Sequence, residues 1–172
     1  EGLTDLCGSL LTRAGTKTRT AQELEERLAF LAAQLGSSIQ GAQGSISLNL
    51  LSKDLDEGLT ILREVLTQPR FQQDRIDLSK QQMLQAMKQR NDESEHIEAT
   101  EAGYLAYGES FWDNRHQTAA SLDSITRDDL LAFHKQWFFP SNFVLAVSGD
   151  FNRDTMVKKL ELVLSIRTRR AR

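Results

Sequence analysis

Leucines recur every three or four residues over most of the chain, and this spacing predicts a mainly helical fold. The clearest helix is predicted to begin at a capping box formed by Thr20 and Glu23 and to end at Gly36. Its apolar stripe consists of Leu24, Leu28, Leu31 and Leu35. The same spacing predicts helices over 3–12, 54–68, 126–139 and 152–166, and over 72–106 with an interruption in its polar middle.

Two segments have the pattern of strands instead of helices. Residues 46–50 alternate apolar and polar side chains, which predicts a half-buried strand paired with residues 37–42. Gly41 and Gly44 are expected to form the turn or a bulge between them. The continuous apolar run FVLAV at 143–147 predicts a strand buried on both faces.

The predicted order of elements is ααββααααβα over one domain, residues 1–172. It indicates the α/β class, in the form of an α+β sandwich in which helices cover an antiparallel or mixed sheet. Three strands make a thin sheet for so many helices, so further strands are expected upstream of residue 1.

Charge and composition argue against several classes of function. The chain has a formal net charge of −3, and its Lys and Arg are scattered, which argues against a nucleic-acid-binding surface. A basic cluster at 167–172 is expected to be a solvated end. No apolar run approaches the roughly 20 residues that span a membrane. Because the chain begins in a helical pattern and without Met, we expect its N-terminus to be missing; the compartment stays open between bacterial periplasm and cytoplasm.

Residues that could perform chemistry are few and widely spaced. No two of His96, His116 and His134 lie three or four residues apart, so no zinc site is predicted from spacing. We expect His134 to be structural and His96 to lie on a solvated helix face. Cys7 lies on the apolar face of its helix and is expected to be an inert core residue. Ser9 is not in a Gly-x-Ser-x-Gly turn, which disfavours a serine hydrolase.

Three blocks of sequence, taken in order, are similar to one known family. The blocks are GLTDLCGSLLTRAGTKTRTAQELEERLAFLAAQLGSSI, LLSKDLDEGLTILREVLTQPRF and SITRDDLLAFHKQWFFPSNFVLAVSGDF. They resemble the insulinase/pitrilysin/mitochondrial-processing-peptidase family of zinc metallopeptidases, over nearly all of the chain. The most specific pieces are DLDEGLTILREVLTQPRF and PSNFVLAVSGDF. The resemblance implies one half-repeat of such a peptidase, a sheet covered by helices and truncated at both ends.

The first helix occupies the place of the family's catalytic motif. Active members carry Gly-x-x-His-x-x-Glu-His there, in which the histidines bind zinc and the glutamate activates the zinc-bound water. This chain has GLTDLCGS at 2–9, so the resemblance places Asp5 and Ser9 at the histidines and Gly8 at the glutamate. Counted from the block PRF, a later zinc-binding glutamate falls at Ala86, and a supporting acidic residue falls at Ser79.

These substitutions imply that the family's zinc site is lost. One carboxylate and one hydroxyl do not make a tight zinc site, and Gly8 has no side chain to accept a proton. We therefore expect no metal, no other cofactor and no peptide hydrolysis by this chain alone. A divergent hydrolase using Ser9 or Cys7 is the least favoured alternative, because no base is visible beside either residue.

The resemblance also implies partners. Motif-less halves or subunits of this family pair with active ones and help to enclose the substrate, so we expect an active insulinase-type subunit or second half as partner. An extended peptide is a further candidate ligand, bound by strand addition to the edge formed by Ser38, Ile39, Gln40 and Gly41. The alternative is a structural or assembly subunit, like the core proteins of respiratory complexes that resemble this family.

Overall fold

A computed structural model of the chain describes residues 1–89, 92, 94–111 and 114–164. The side chain of His96 and the basic cluster at 167–172 lie outside the described residues. None of the described helices is both long enough and apolar enough to cross a membrane. In chain order, the elements are α1 (Leu3–Leu10), α2 (Ala21–Phe30), β1 (Gln34–Gln40), β2 (Gln43–Asn49), α3 (Leu55–Thr67), α4 (Gln73–Gln89), α5 (Ser94–Tyr107), α6 (Ala119–Ser124), α7 (Arg127–Trp137) and α8 (Arg153–Leu164).

Helix α1 lies at the centre of the core. Leu6, Cys7 and Leu10 on this helix are almost completely buried, and the helix packs against β1, α4 and α7. The surrounding elements and loops contribute the fully buried side chains Ile61, Val65, Phe71, Ile76, Leu122 and Leu130. Burial of each side chain of this size contributes about 1.5–3 kcal/mol, so α1 is a principal stabilising element.

The second helix begins where the sequence predicts and ends earlier. The Thr20 side chain accepts a hydrogen bond from the Glu23 backbone N–H, and the Glu23 carboxylate accepts one from the Thr20 backbone N–H at 2.7 Å, which confirms the capping box. The helix ends at Phe30 instead of Gly36, and Ala32 adopts a positive φ of 48°. The prediction of its end is wrong because Leu35 pairs with Leu48 across the hairpin, and this pairing extends the strand at the expense of the helix.

Strands β1 and β2 form an antiparallel hairpin, as the sequence predicts. Their register runs from Gln34 opposite Asn49 to Gln40 opposite Gln43. Gly41 begins the two-residue turn with a φ of 55°, a conformation that costs glycine little. The prediction for Gly44 is wrong, because Gly44 lies in β2 and pairs with Ile39. Among the described residues this hairpin is the whole sheet, and with the surrounding helices it gives an α+β fold.

The apolar run FVLAV is not a strand buried on both faces, which corrects the prediction. Residues 143–148 have no regular structure, and Val144 is 100% exposed. A strand needs a neighbouring strand to satisfy its backbone groups, and no described residue supplies one here. The run instead borders an apolar gap of about 1170 Å³ between the hairpin, α3 and α8.

Candidate functional site

The three motif positions on α1 lie in different surroundings. Asp5 is exposed, Ser9 is half-buried and Gly8 is buried. Although Asp5 as a residue is exposed, neighbouring protein atoms partly desolvate its carboxylate and raise the pKa of Asp5 above its ordinary value. Asp5 is thus the only one of the three whose side chain carries a charge.

Gly8 allows the backbones of α1 and β1 to touch. A Cβ atom at position 8 would overlap the backbone nitrogen of Ile39 and lie 3.0 Å from the carbonyl carbon of Ser38. The Ser37 hydroxyl donates a hydrogen bond of 2.6 Å to the Gly8 carbonyl oxygen, and the Thr12 and Ser37 hydroxyl oxygens lie 3.0 Å apart. The space in which a glutamate side chain would begin is therefore filled by the strand.

Ser9 faces the position that the resemblance assigns to a supporting acid. Its Oγ lies 3.3 Å from the Ser79 Oγ on α4 and donates a hydrogen bond of 3.0 Å to the Leu6 carbonyl oxygen. Ala86, seven residues after Ser79 on the same helix, is exposed. Because seven residues are close to two helical turns, Ala86 and Ser79 project from the same side of α4.

The residues at these positions do not fit a zinc ion. Gly8 and Ala86 have no donor atoms, and the Ser9 hydroxyl is already hydrogen-bonded, so Asp5 is the one strong donor. Zinc sites in proteins use three or four His, Cys or carboxylate ligands. Within the described ranges, no group of three or more such side chains is placed to hold a metal ion.

The residues expected to bind an extended peptide lie at the end of the hairpin nearest to its turn. Ser38, Ile39 and Gln40 belong to β1, and Gly41 lies in the turn. The Ser38 hydroxyl oxygen lies 3.1 Å from that of Ser45 across the hairpin. In the part of the chain that the structure describes, β1 pairs with β2 on one side and with no strand on the other.

Two family models match this chain. Residues 1–107 match the model described as Insulinase (Peptidase family M16). The chain belongs to the insulinase family. Residues 124–166 match a second model, described as Peptidase M16 inactive domain. These two matches confirm the family that the sequence blocks resemble, and they confirm that the chain resembles an inactive half of it.

The relatives of this insulinase-family chain carry both peptidase and non-peptidase names. It is 24% identical over 152 residues to "Probable mitochondrial-processing peptidase subunit beta, mitochondrial" of Arabidopsis thaliana, covering 86% of this chain and 28% of the relative. It is 27% identical over 165 residues to "Non-peptidase homolog YmxG" of Helicobacter pylori, covering 95% of this chain and 38% of the relative. The chain thus spans about a third of the length of these relatives.

A solved structure supports the fold. The crystal structure of a peptidase M16 inactive domain from Pseudomonas fluorescens matches with a TM-score of 0.83 at 23% identity, covering 95% of this chain and 40% of that one. At this level of identity the match establishes the shared fold. The α+β class predicted from the sequence is confirmed by it.

Two other side chains of this insulinase-family chain that could take part in catalysis, Cys7 and His134, are buried in the core. Burial raises the pKa of the Cys7 thiol to about 12, so the thiol stays protonated and unreactive at neutral pH. His134 is buried, and its Nε2 lies 3.0 Å from the Leu66 carbonyl oxygen, which confirms the structural role predicted for it. Burial also lowers the pKa of His134, although the hydrogen bond to Leu66 partly opposes that shift.

Sequence reasoning missed the two hydroxyl residues that hold β1 on α1. Thr12 is 4% exposed, and its contact with Ser37 links the end of α1 to the strand. Neither residue belongs to a motif, and their separation of 25 positions leaves no local signal.

Proposed function

We propose that this chain is a non-catalytic insulinase-type domain that holds no zinc. The main support for this proposal is the contact between Gly8 and β1. The strand occupies the space in which the side chain of a general base would begin. The donor-free Ala86 and the hydrogen-bonded Ser9 support the same conclusion. Without a metal-activated water and a base, no group at this helix can start the attack on a peptide bond.

Zinc content and activity together test this proposal. The purified chain and an Asp5→Ala variant are expected to contain the same trace of zinc by elemental analysis after incubation with zinc and desalting. Neither is expected to cleave unfolded, carboxymethylated lactalbumin. One zinc ion per chain that disappears in the Asp5→Ala variant would overturn the proposal, as would cleavage that this variant abolishes.

We further propose that the domain works beside an active insulinase-type subunit or second half. In support, the apolar gap beside the hairpin is wide, and the exposed side chains of Val144, Leu145 and Val147 border it. An open apolar surface of this kind is typical of a face that another protein segment covers. The length of the relatives, about three times that of this chain, leaves room for such a segment.

Isolation of the native complex tests the partnership. A tagged chain expressed in its own organism is expected to co-purify with a protein that contains an intact His-x-x-Glu-His motif, identified by mass spectrometry. Recovery in a respiratory membrane complex without such a protein would favour the alternative structural role. Recovery of the tagged chain as a stable, unpartnered monomer would contradict both.

We also propose that β1 receives an extended peptide, because its outer edge has no partner strand among the described residues. Strand addition needs backbone donors and acceptors instead of a particular side chain. Hydrogen exchange of residues 38–40 is expected to slow when carboxymethylated lactalbumin is added, while exchange in α8 stays unchanged. Unchanged exchange at 38–40 with saturating polypeptide would show that the edge is not used.

A further inference from the structure

A second concave site, which is basic, adjoins the hairpin gap at Leu66 and Phe138. It encloses about 630 Å³ between the loop after α3, the loop after α1 and the face of α7. The two loops are joined by hydrogen bonds from the Lys17 N–H to the Gln68 carbonyl oxygen at 2.8 Å and from the Arg70 N–H to the Gly15 carbonyl oxygen at 3.0 Å. The framework of the pocket therefore consists of two loops whose backbones are hydrogen-bonded to each other.

Four cationic side chains line this pocket, and no carboxylate does. They are Lys17, Arg70, Arg127 and Lys135. The chain as a whole has a net charge of −3, so the concentration of positive charge is local. None of the four forms an ion pair between described residues. No acidic side chain that lines the pocket therefore neutralises these charges.

Both arginines are held in place by backbone carbonyl groups. Arg70 donates from Nε to the Thr16 oxygen at 2.9 Å and from Nη2 to the Lys17 oxygen at 3.1 Å. Arg127 donates from Nε to the Arg70 oxygen at 2.9 Å. Guanidinium groups fixed in this way keep further N–H donors for a ligand and lose little entropy when it binds.

One carboxylate acts on this cluster from outside. Hydrogen bonds from Thr20 lower the pKa of Glu23, and the charge of Arg70 makes a smaller contribution. The Glu23 Oε2 atom accepts hydrogen bonds from the Thr20 backbone N–H and hydroxyl group, and Glu23 is not among the residues that line the pocket. The ammonium groups of Lys17 and Lys135 are exposed and make no hydrogen bond to a described residue.

We propose that this pocket binds an oligophosphate group, either free or as part of a nucleotide. Clustered arginines and lysines match the charge density and the many acceptor oxygens of linked phosphates. The volume suits a small molecule, and Leu66, Leu131 and Phe138 supply an apolar wall for the remainder of a nucleotide. This site is separate from the motif positions, and the proposal is independent of the function proposed above.

Calorimetric titration of the whole chain with sodium tripolyphosphate, ATP and adenosine at low ionic strength tests this site. Tripolyphosphate and ATP are expected to bind and adenosine alone is not. Similar dissociation constants for the two phosphates indicate that the phosphates suffice, whereas tighter binding of ATP indicates a nucleotide site. Added salt is expected to weaken both, because the attraction between exposed charges is screened.

Charge-removal variants locate the binding. Lys17→Ala/Lys135→Ala is expected to raise the dissociation constant by about tenfold or more, because it removes two of the four positive charges that attract the phosphates. Both side chains are exposed, so folding is not at risk. The matched control is Arg63→Ala/Lys88→Ala, which removes two exposed charges elsewhere and is expected to change binding less than twofold.

Three results would overturn the proposal. The first is an absence of heat with tripolyphosphate and ATP at millimolar concentration. The second is equal weakening by the pocket pair and the control pair, which would indicate a non-specific charge effect. The third is tighter binding of a polyglutamate peptide than of either phosphate, which would indicate a surface for an acidic protein segment.

Discussion

The backbone of Ile39 lies so close to Gly8 that a Cβ atom at position 8 would overlap the Ile39 nitrogen. Helix and strand are therefore in contact at the position where active relatives are expected to carry the glutamate that activates water. Glycine inside a helix costs about 1 kcal/mol relative to alanine. Its presence here is explained by the packing of β1, which a larger residue would displace.

Gly8→Ala is therefore expected to destabilise the chain by about 1–3 kcal/mol, although alanine favours a helix, because the added methyl group overpacks a backbone contact. Chemical denaturation measures the difference. Gly36→Ala is the matched control, since its Cβ would meet only the Ser47 Oγ at 3.6 Å, and it is expected to be neutral or stabilising by up to about 1 kcal/mol. Equal stability of Gly8→Ala and the parent would refute the close contact.

Introducing the family's motif side chains is expected to separate metal binding from catalysis. Asp5→His/Ser9→His/Ala86→Glu supplies three donors while keeping Gly8, and it is expected to bind zinc without cleaving polypeptide, because no base is present. Adding Gly8→Glu is expected to lower the melting temperature relative to this triple variant. Elemental analysis and thermal denaturation make the comparison. Peptide cleavage by the triple variant would contradict the role assigned to position 8.

The contact between Ser9 and Ser79 is expected to couple α1 to α4 energetically. Each serine-to-alanine change should cost about 0.5–1.5 kcal/mol for a lost hydrogen bond. The double variant should cost less than the sum, with a coupling of at least about 0.5 kcal/mol. Urea denaturation of the four proteins gives this double-mutant cycle. Strict additivity would mean that the 3.3 Å approach carries no stabilising hydrogen bond.

His134 is expected to make stability depend on pH. Burial lowers the pKa of His134 in the folded chain, so the unfolded chain binds the proton more readily. Its contribution to stability is therefore complete above the unfolded pKa of about 6.5 and falls as the pH drops below that value. Denaturation from pH 8 to 5 should show a shallower slope for His134→Gln than for the parent. A slope for His134→Gln as steep as that of the parent would contradict the prediction.

Cys7 is expected to resist thiol reagents while the chain is folded. Its side chain is fully buried, and burial raises its pKa to about 12, so thiolate and access are both lacking. Labelling with a chromogenic disulfide reagent at pH 8 should be slow in buffer and complete within minutes in denaturant. Rapid labelling of the folded chain would place Cys7 outside the core.

Much of the fold could be predicted because its signals are local. The capping box of Thr20 and Glu23 spans only four residues. In α1, the spacing of the leucines is enough to predict which face of the helix is buried. The hairpin was predicted from alternation in β2, although β1 begins three residues earlier than expected. The missed helix α6 is only six residues long, too short for a periodic pattern to be recognised.

The sequence by itself determined the family, the helical framework and the absence of metal-binding side chains at positions 8 and 86, since these follow from residue identity and short-range periodicity. Only the tertiary structure decided that β1 fills the space beside Gly8, that Ser9 meets Ser79 and that FVLAV stands outside the sheet. Each of these depends on whether segments far apart in the chain approach one another. Such an approach is governed by packing and backbone pairing over the whole domain, which no local pattern encodes.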